Sequence, residues 1–331
     1  MGAKRNATLE LFKLIAAYMV VFIHVSFEGG FGIVVDSLAR FAVPLFFLIS
    51  GFFSYGITAP KIKKRIKNIA ILIVFSSVLY TAVNLLLLPV EKDFSGIGAY
   101  FGMYLDIKIW LKLLLFNIPP SSLHLWYLFA ALYVYLIYLF VKAVRFKEKT
   151  VFSAAVILLI LHLLISEGLS LFGFSVPTLV VRNFVMMGLP FFGLGLMAKK
   201  YESKLRAVPN KTAVVLAVLG SAESVASYCF FGKKELYLGT LPVLLLLVVL
   251  FVKYSEAVYP RFVSALSGCS TYIYVLHIMT ARLIKTAYPL FGIDLDASVI
   301  LTSLHPLIVC AVTTLLSYLM LRINRSLHKK L

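Results

Sequence analysis

Three ionisable residues, Glu10, Lys13 and His24, lie in the first long apolar segment of the chain. At 100° per residue, the eleven steps from Lys13 to His24 make three helical turns and about 20°, a climb of about 16 Å. Glu10 comes three residues before Lys13, so all three side chains share one helix face. Because an ionisable group at mid-bilayer costs about 2.5–3.5 kcal/mol, this alignment indicates a polar interior site. We expect His24 to lie deep in the span, where it is a candidate general base, with Glu10 orienting Lys13. Alternatively, Lys13 extends to the membrane interface and His24 only hydrogen-bonds a neighbouring helix.

The composition is that of an integral membrane protein. Of 331 residues, 61% are hydrophobic and 14% are charged, and the mean hydropathy is +0.97. Soluble domains average about 45–50% apolar and about 25% charged residues. Apolar runs long enough to span a bilayer recur along the chain, which predicts an all-α helical bundle and not a barrel. No polar stretch suits a soluble extracytoplasmic domain, so residues 1–331 are predicted to form a single membrane domain.

About ten membrane spans are predicted, with a long external loop between the third and the fourth. The spans are placed at residues 9–27, 39–57, 68–90, 122–141, 150–172, 179–198, 212–231, 236–252, 264–285 and 297–321. In this layout, segments on the N-terminal side carry 22 Lys and Arg residues and those on the opposite side carry 6. The excess predicts that both termini are cytoplasmic in a plasma or inner membrane. In the external loop, Trp110–Phe116 is expected to form a short re-entrant or interfacial helix ended by Pro119 and Pro120.

A cluster of cations follows the second predicted span. Five cations occur in seven residues, namely Lys61, Lys63, Lys64, Arg65 and Lys67. We place them in a cytoplasmic loop, where they could neutralise the phosphates of an anionic nucleotide. A loop that sets the membrane orientation and contacts anionic lipid explains the charge equally well.

Further polar residues in or beside the predicted spans are candidates for lining a chamber or meeting an acceptor. They are Arg40, Ser50, His124, Trp126, Arg182, His277 and Arg282. Asp36, one turn before Arg40, is its expected partner. Trp126 and Tyr127 are expected either to anchor a helix at the interface or to offer a stacking surface for a sugar. Ser50 and Gly51, and the glycines after Arg182, also fit close helix packing.

Taken in order, these motifs resemble those of acyltransferase family 3, a family of integral-membrane acyltransferases. The first helix of that family carries an acidic residue, a basic residue and, after ten intervening positions, a histidine. Glu10, Lys13 and His24 reproduce this arrangement, with Lys where Arg is usual and Glu where Asp is more frequent. Other stretches that resemble family elements are Ser50–Phe52 (SGF), the basic run 61–67, His124–Leu128, Arg182–Gly193 and Tyr272–His277.

The resemblance implies an O-acyltransferase that moves an acyl group, most often acetyl, from cytoplasmic acyl-CoA to a hydroxyl of a cell-envelope saccharide or lipid-linked glycan. Acetyl-CoA or another acyl-CoA would be a co-substrate, with no permanently bound cofactor and no metal. The CoA phosphates would meet residues 61–67 and Lys13, while His24 acts as general base or transient acyl carrier. His277 and Arg282 would line the chamber. The expected partners are this donor, the glycan, the lipid bilayer and a separate extracytoplasmic transfer protein, without nucleic acid.

Two other classes of function stay open at this point. Buried His, Arg and Lys residues also suit a secondary transporter or flippase of a polar or lipid-linked solute. A non-catalytic scaffold of an envelope assembly would need neither His24 nor His277. A transporter needs no acyl donor, so an assay of acyl-CoA hydrolysis or transfer separates it from an acyltransferase.

Overall fold

The computed structural model describes residues 6–91, 96–257, 259–266, 268–295 and 298–330. Within these ranges the regular secondary structure consists of helices without strands, which confirms the predicted all-α class. The basic start of the chain at Lys4 and Arg5 lies outside the described residues, as do both ends of the predicted domain, and Ala297 at the start of the last predicted span. The α-helices of the described ranges are α1 (Ala7–His24), α2 (Gly29–Ala39), α3 (Ala42–Phe52), α4 (Ala59–Glu91), α5 (Gly96–Gly102), α6 (Ile107–Phe116), α7 (Trp126–Ala143), α8 (Glu148–Ser166), α9 (Thr178–Val181), α10 (Leu189–Lys200), α11 (Glu202–Ala207), α12 (Asn210–Phe231), α13 (Thr240–Lys253), α14 (Arg261–Leu266), α15 (Ser270–Leu290) and α16 (Val299–Lys330).

Seven helical segments in the described part of the chain are long and apolar enough to cross a membrane. They are Ala7–His24, Gly29–Phe52, Ala59–Pro89, Leu123–Ala143, Glu148–Phe172, Asn210–Phe231 and Val299–Ser326. A further apolar helix, α13, is shorter. The protein is therefore a membrane protein with several apolar helices, whereas the number ten and the cytoplasmic position of both termini stay predictions.

The second apolar segment begins at Gly29, ten residues before its predicted start at residue 39. Gly29 has a φ of 63°, and a side chain at Gly32 would collide with the carbonyl of Phe27. Both glycines therefore serve the tight entry into α2. The predicted connection between the first two spans is therefore mostly helical, which corrects the predicted start at residue 39. The helix then breaks at Arg40, so Arg40 lies within the segment and not at its start.

The cations of residues 61–67 lie in the first turns of α4 and not in a loop, which corrects the prediction. Pro60 suits the first turn of a helix because the N–H group that it lacks would have no intrahelical partner there. Lys, Arg and Ile then continue the helix at little cost. The positive end of the helix dipole consequently lies beside the cations.

The short helix that was predicted in the long loop is confirmed as α6. The Asp106 carboxylate accepts a hydrogen bond from the backbone N–H of Lys108 at 2.9 Å and caps the start of the helix. The helix ends at Asn117, which has a left-handed φ of 50°, just before Pro119 and Pro120.

The described residues form two compact units, of which the first runs up to Phe46 and resumes at Tyr201. Its core lies where α1, α15 and α16 pack together. Val21, Ile273 and Val309, one from each of these helices, are fully buried. This packing holds the C-terminal half of α1 beside α15, the helix that carries His277.

The second unit comprises Phe47–Lys200, in which α4 packs on α7 and α8 packs on α10. The part of α3 from Phe47 onward approaches α10 closely at two glycines. A side chain at Gly51 would collide with the carbonyl of Phe192, and one at Gly195 with the carbonyl of Leu48. The predicted close packing at these glycines is confirmed.

Replacing Gly51 by Val is expected to lower the melting temperature of the detergent-solubilised protein. The added Cβ would meet a backbone carbonyl, which cannot rotate away as a side chain could. Overpacking of this kind costs about 1–3 kcal/mol, and more where the backbone is rigid. Gly98→Ala is the control, because no atom lies within 4 Å of its added Cβ. Equal melting temperatures for the two variants would contradict the close approach.

Candidate functional site

His24 and His277 contact each other in the first unit, although 253 positions separate them in the sequence. Their ring centroids are 5.2 Å apart and the ring planes make an angle of 40°. His277, on α15, is fully buried. His24 is the last residue of α1 and its side chain is exposed, so the prediction that it lies deep within the helix is wrong. The pair thus combines an accessible imidazole with a buried one.

The backbone of α15 fixes the tautomer of His277. Its Nδ1 lies 2.7 Å from the carbonyl oxygen of Tyr274 and 3.2 Å from that of Ile273. A carbonyl oxygen can only accept, so Nδ1 carries the hydrogen and Nε2 is the basic nitrogen of the neutral ring. This arrangement holds the buried ring in place beside His24.

Glu10 and Lys13 form the expected ion pair on α1, with Lys13 Nζ 3.0 Å from Glu10 Oε1. Both side chains are partly exposed, at 18% and 28%. The pair lies about 16 Å or more along the helix from His24. It therefore cannot exchange a proton directly with His24.

Arg40 lies in a buried ion cluster of the first unit and is 3% exposed. Its Nη2 donates to Asp36 Oδ2 at 2.5 Å, which confirms the predicted partner. Lys233 Nζ lies 2.9 Å from Asp36 Oδ1, and Glu235 Oε1 lies 3.9 Å from Arg40 Nη1. Lys233 and Glu235 were not predicted, because a connection between α12 and α13 gives no local sign that it meets α2. A buried charge is tolerated only when an opposite charge compensates it. The carboxylates of this cluster therefore stabilise the position of Arg40 between the end of α2 and the start of α3.

Arg282 is half-buried on α15, five positions after His277. Five helical steps amount to about 140° around the axis, so the two side chains leave the helix in different directions. The structure brings His277 to His24 but does not bring Arg282 to the same face of α15.

Within the basic segment, Arg65 is held by the protein itself. Its Nη1 donates to Ser54 Oγ at 2.7 Å and to the Tyr135 hydroxyl at 3.0 Å. Its Nη2 donates to the carbonyl of Phe53 at 2.8 Å, beyond the end of α3. The four lysines of the segment, Lys61, Lys63, Lys64 and Lys67, are exposed. An anionic ligand would therefore meet the lysines first.

The structure brings Arg182 to Trp126 in the second unit, whereas His124 contacts other residues of that unit. The Arg182 guanidinium lies 6.0 Å from the ring centroid of Trp126. His124 is buried, with Nδ1 at 2.8 Å from Ser122 Oγ and its ring centroid 4.7 Å from that of Tyr80. Trp126 is only 6% exposed, so it cannot offer the open stacking surface that was considered for it.

Ser50 lies near the end of α3 and is half-buried. Its side chain is hydrogen-bonded to Tyr127, and its carbonyl accepts from Ser54 Oγ at 2.6 Å. The contact with Tyr127 joins α3 to the start of α7 within the second unit.

His162 on α8 is a buried polar residue that the sequence analysis did not select. Its Nδ1 lies 2.9 Å from the carbonyl oxygen of Met186, in the π-helical turn Phe184–Gly188. Pro190 lacks the N–H that would bond this carbonyl in an α-helix, so His162 supplies the missing donor. The signals in the sequence were a single histidine in one apolar span and a proline in another.

Comparison with known proteins identifies the family. The family model described as an acyltransferase domain, that of acyltransferase family 3, matches residues 6–322. A protein of Enterococcus faecalis named "Amino-acid racemase" is 26% identical over 257 residues, which are 69% of this chain and 34% of that protein. The chain thus spans about a third of the length of this relative. No solved structure matches the chain. Because the family match extends over nearly the whole sequence, the chain belongs to acyltransferase family 3.

Proposed function

We propose that the protein transfers an acyl group, with acetyl as the first candidate, from acyl-CoA to a hydroxyl of a cell-envelope saccharide or lipid-linked glycan. The observation that carries this proposal is the contact between the rings of His24 and His277 in a chain of this family. An exposed imidazole is accessible to a reactant, and a buried imidazole with a fixed tautomer holds it in place. Such a pair suits general base catalysis at near-neutral pH.

In the proposed reaction, His24 accepts the proton of the acceptor hydroxyl while its oxygen attacks the thioester carbonyl. The carbon–sulfur bond then breaks, and the imidazolium returns the proton to the departing thiolate, which leaves as CoA–SH. The products are the ester and free CoA.

In the alternative order, a His24 nitrogen attacks the thioester carbonyl, the carbon–sulfur bond breaks, and the other ring nitrogen gives its proton to the departing thiolate, which leaves as CoA–SH. The hydroxyl then takes the acyl group and returns its proton to the imidazole. A rapid release of one equivalent of CoA–SH per protein in the absence of acceptor tests this order, because only the second route takes the acyl group before the acceptor binds.

The exposed lysines at the start of α4 are proposed to meet the phosphates of the donor. The positive end of the helix dipole supports an anion there, together with Lys61, Lys63, Lys64 and Lys67. The Glu10–Lys13 pair, which is too far from His24 for proton transfer, is proposed to contact the donor as well. Arg65 is assigned to the structure of the second unit because its guanidinium already donates three hydrogen bonds.

Replacing the four exposed lysines together by Gln is expected to raise the Kd for acetyl-CoA roughly tenfold or more, since each contributes a charge-assisted contact to phosphate. The measurement is equilibrium binding of radiolabelled acetyl-CoA to protein in detergent. Arg65→Lys is the matched control. It keeps the positive charge but lacks the planar guanidinium that donates to both the Phe53 carbonyl and the Tyr135 hydroxyl. We expect it to lower the melting temperature with little change in Kd. An unchanged Kd in the fourfold Gln variant would contradict the assignment of the lysines.

Saturable binding and slow hydrolysis or transfer of acetyl-CoA by the purified protein is the direct test of the function. The wild-type protein is expected to release CoA–SH from labelled acetyl-CoA, and to do so faster when a soluble saccharide acceptor is added. Failure to bind any acyl-CoA would exclude the proposed reaction.

Transport of a polar solute is the second candidate function, because buried ionisable residues such as Arg40 and His277 also suit a transporter. The name of the Enterococcus faecalis relative makes amino acids the first solutes to test. Uptake of labelled amino acids into vesicles that contain the protein, in the absence of acyl-CoA, would favour transport.

A further inference from the structure

An apolar groove runs along the second unit between α7, α8 and α10. Its volume is about 200 Å³ and its surface is almost entirely hydrocarbon. The lining residues run from Val134 to Val141 on α7 and from Thr150 to Leu158 on α8. They therefore extend for about two helical turns, or about 11 Å. The shape fits one hydrocarbon chain lying along the helices.

One end of the groove adjoins a cluster of cations. Phe146, in the connection between α7 and α8, and Thr150, at the start of α8, line that end. The residues around them carry exposed cations, namely Lys142, Arg145, Lys147 and Lys149. The acidic residue among them, Glu148, is already paired with Lys200. Positive charge at the end of an apolar groove is complementary to a lipid whose headgroup carries a negative charge.

Arg145 stands at a backbone position that normally favours glycine. It has a φ of 60°, and the N–H of Phe146 bonds to the carbonyl of Val141 at 3.2 Å, which closes the last turn of α7. A side chain other than glycine is unfavourable in this conformation. An arginine there is consistent with a role for its charge that outweighs the strain.

We propose that this groove binds one acyl chain of an anionic phospholipid, with the headgroup phosphate held by the cations at residues 142–149. The hydrocarbon contact alone gives no selectivity, because the surrounding lipid tails are equally apolar. Selectivity comes from the net negative charge of the headgroup, which no choline cation compensates, at a predicted cytoplasmic face where anionic lipids are enriched. This site is separate from the proposed acyl transfer and does not depend on it.

The test is native mass spectrometry of delipidated protein with phosphatidylglycerol or phosphatidylcholine of the same chain lengths. We expect retention of one phosphatidylglycerol and weaker retention of phosphatidylcholine. Glycerol phosphate is the arm that separates lipid from free phosphate, and it is expected not to compete at equal concentration. Equal retention of the two lipids, or full competition by glycerol phosphate, would overturn the proposal.

Two variants with matched controls test the two halves of the site. Ala154→Trp fills the groove and is expected to abolish selective retention, whereas Ile157→Trp, on the same helix but outside the groove, leaves it unchanged.

Arg145→Gly removes a positive charge of the cation cluster and also relieves the backbone strain at this position. It is expected to weaken phosphatidylglycerol binding about fivefold while the melting temperature holds or rises. Lys108→Gln, in α6, is the control for a lost charge. Unchanged binding in both Ala154→Trp and Arg145→Gly would also overturn the proposal.

Discussion

Replacement of His24 by Ala is expected to lower the rate of acyl transfer by a factor of about 10²–10⁴, with the Kd for acetyl-CoA unchanged. The variant loses the base that accepts the hydroxyl proton but keeps the cations proposed to hold the donor. The measurement is the release of CoA–SH from labelled acetyl-CoA by protein in detergent, with donor binding measured in parallel. Since His24 is the last residue of α1 and is exposed, the substitution is not expected to perturb the fold.

Two controls make this result specific. His305→Gln changes a histidine of α16 that contacts the hydroxyl of Tyr288 at 3.1 Å, and it is expected to leave turnover near the wild-type rate. Added imidazole is expected to restore part of the activity of His24→Ala, because His24 is exposed and its removal leaves room beside the ring of His277. Full turnover by His24→Ala would exclude both the base and the acyl-carrier roles.

His277→Asn separates positioning from proton transfer within the pair. An asparagine amide can still donate to the carbonyl of Tyr274, as Nδ1 does now, but it has no basic nitrogen. If His277 mainly holds His24, the Asn variant retains more turnover than His277→Ala, with an unchanged pH profile. Equal loss in the two variants would instead assign a proton-transfer step to Nε2 of His277.

Replacement of Asp36 by Ala is expected to reduce the free energy of unfolding by about 3–5 kcal/mol. The variant would leave Arg40, which is 3% exposed, without its closest carboxylate partner. Glu235 compensates less because its oxygen lies 3.9 Å from Arg40. The measurement is thermal or denaturant unfolding of the protein in detergent.

Lys233→Gln is the control for Asp36, because Lys233 is 47% exposed and an exposed ion pair contributes about 0–1 kcal/mol. The double variant Asp36→Asn/Arg40→Met is expected to be more stable than Asp36→Ala, since it removes both buried charges. A melting temperature for Asp36→Ala equal to that of wild type would show that the cluster does not stabilise the α2–α3 break.

Sequence patterns were sufficient for the features that depend on neighbours along the chain. Composition indicated the membrane class and apolar runs indicated most of the long helices, because both depend on residues that are close in the chain. The Glu10–Lys13 and Asp36–Arg40 pairs were predictable because three or four helical steps place side chains on one face. The end of α6 at Asn117, before two prolines, follows from the same local rules.

Features that join distant parts of the chain required the tertiary structure. No local pattern shows that the ring of His24 meets that of His277, because this contact depends on how α1 packs against α15. Likewise, Arg65 looked like a free cation until Ser54, Tyr135 and the Phe53 carbonyl were found around it.

The sequence by itself determined the class, the family resemblance and the residue types that could perform the chemistry. Only the tertiary structure decided which of those residues meet. It placed His24 at the exposed end of its helix and Trp126 in the interior, and it gave His162 a structural role. The physical reason is that periodicity fixes the direction of a side chain around its own helix, whereas packing between distant helices fixes what that side chain touches.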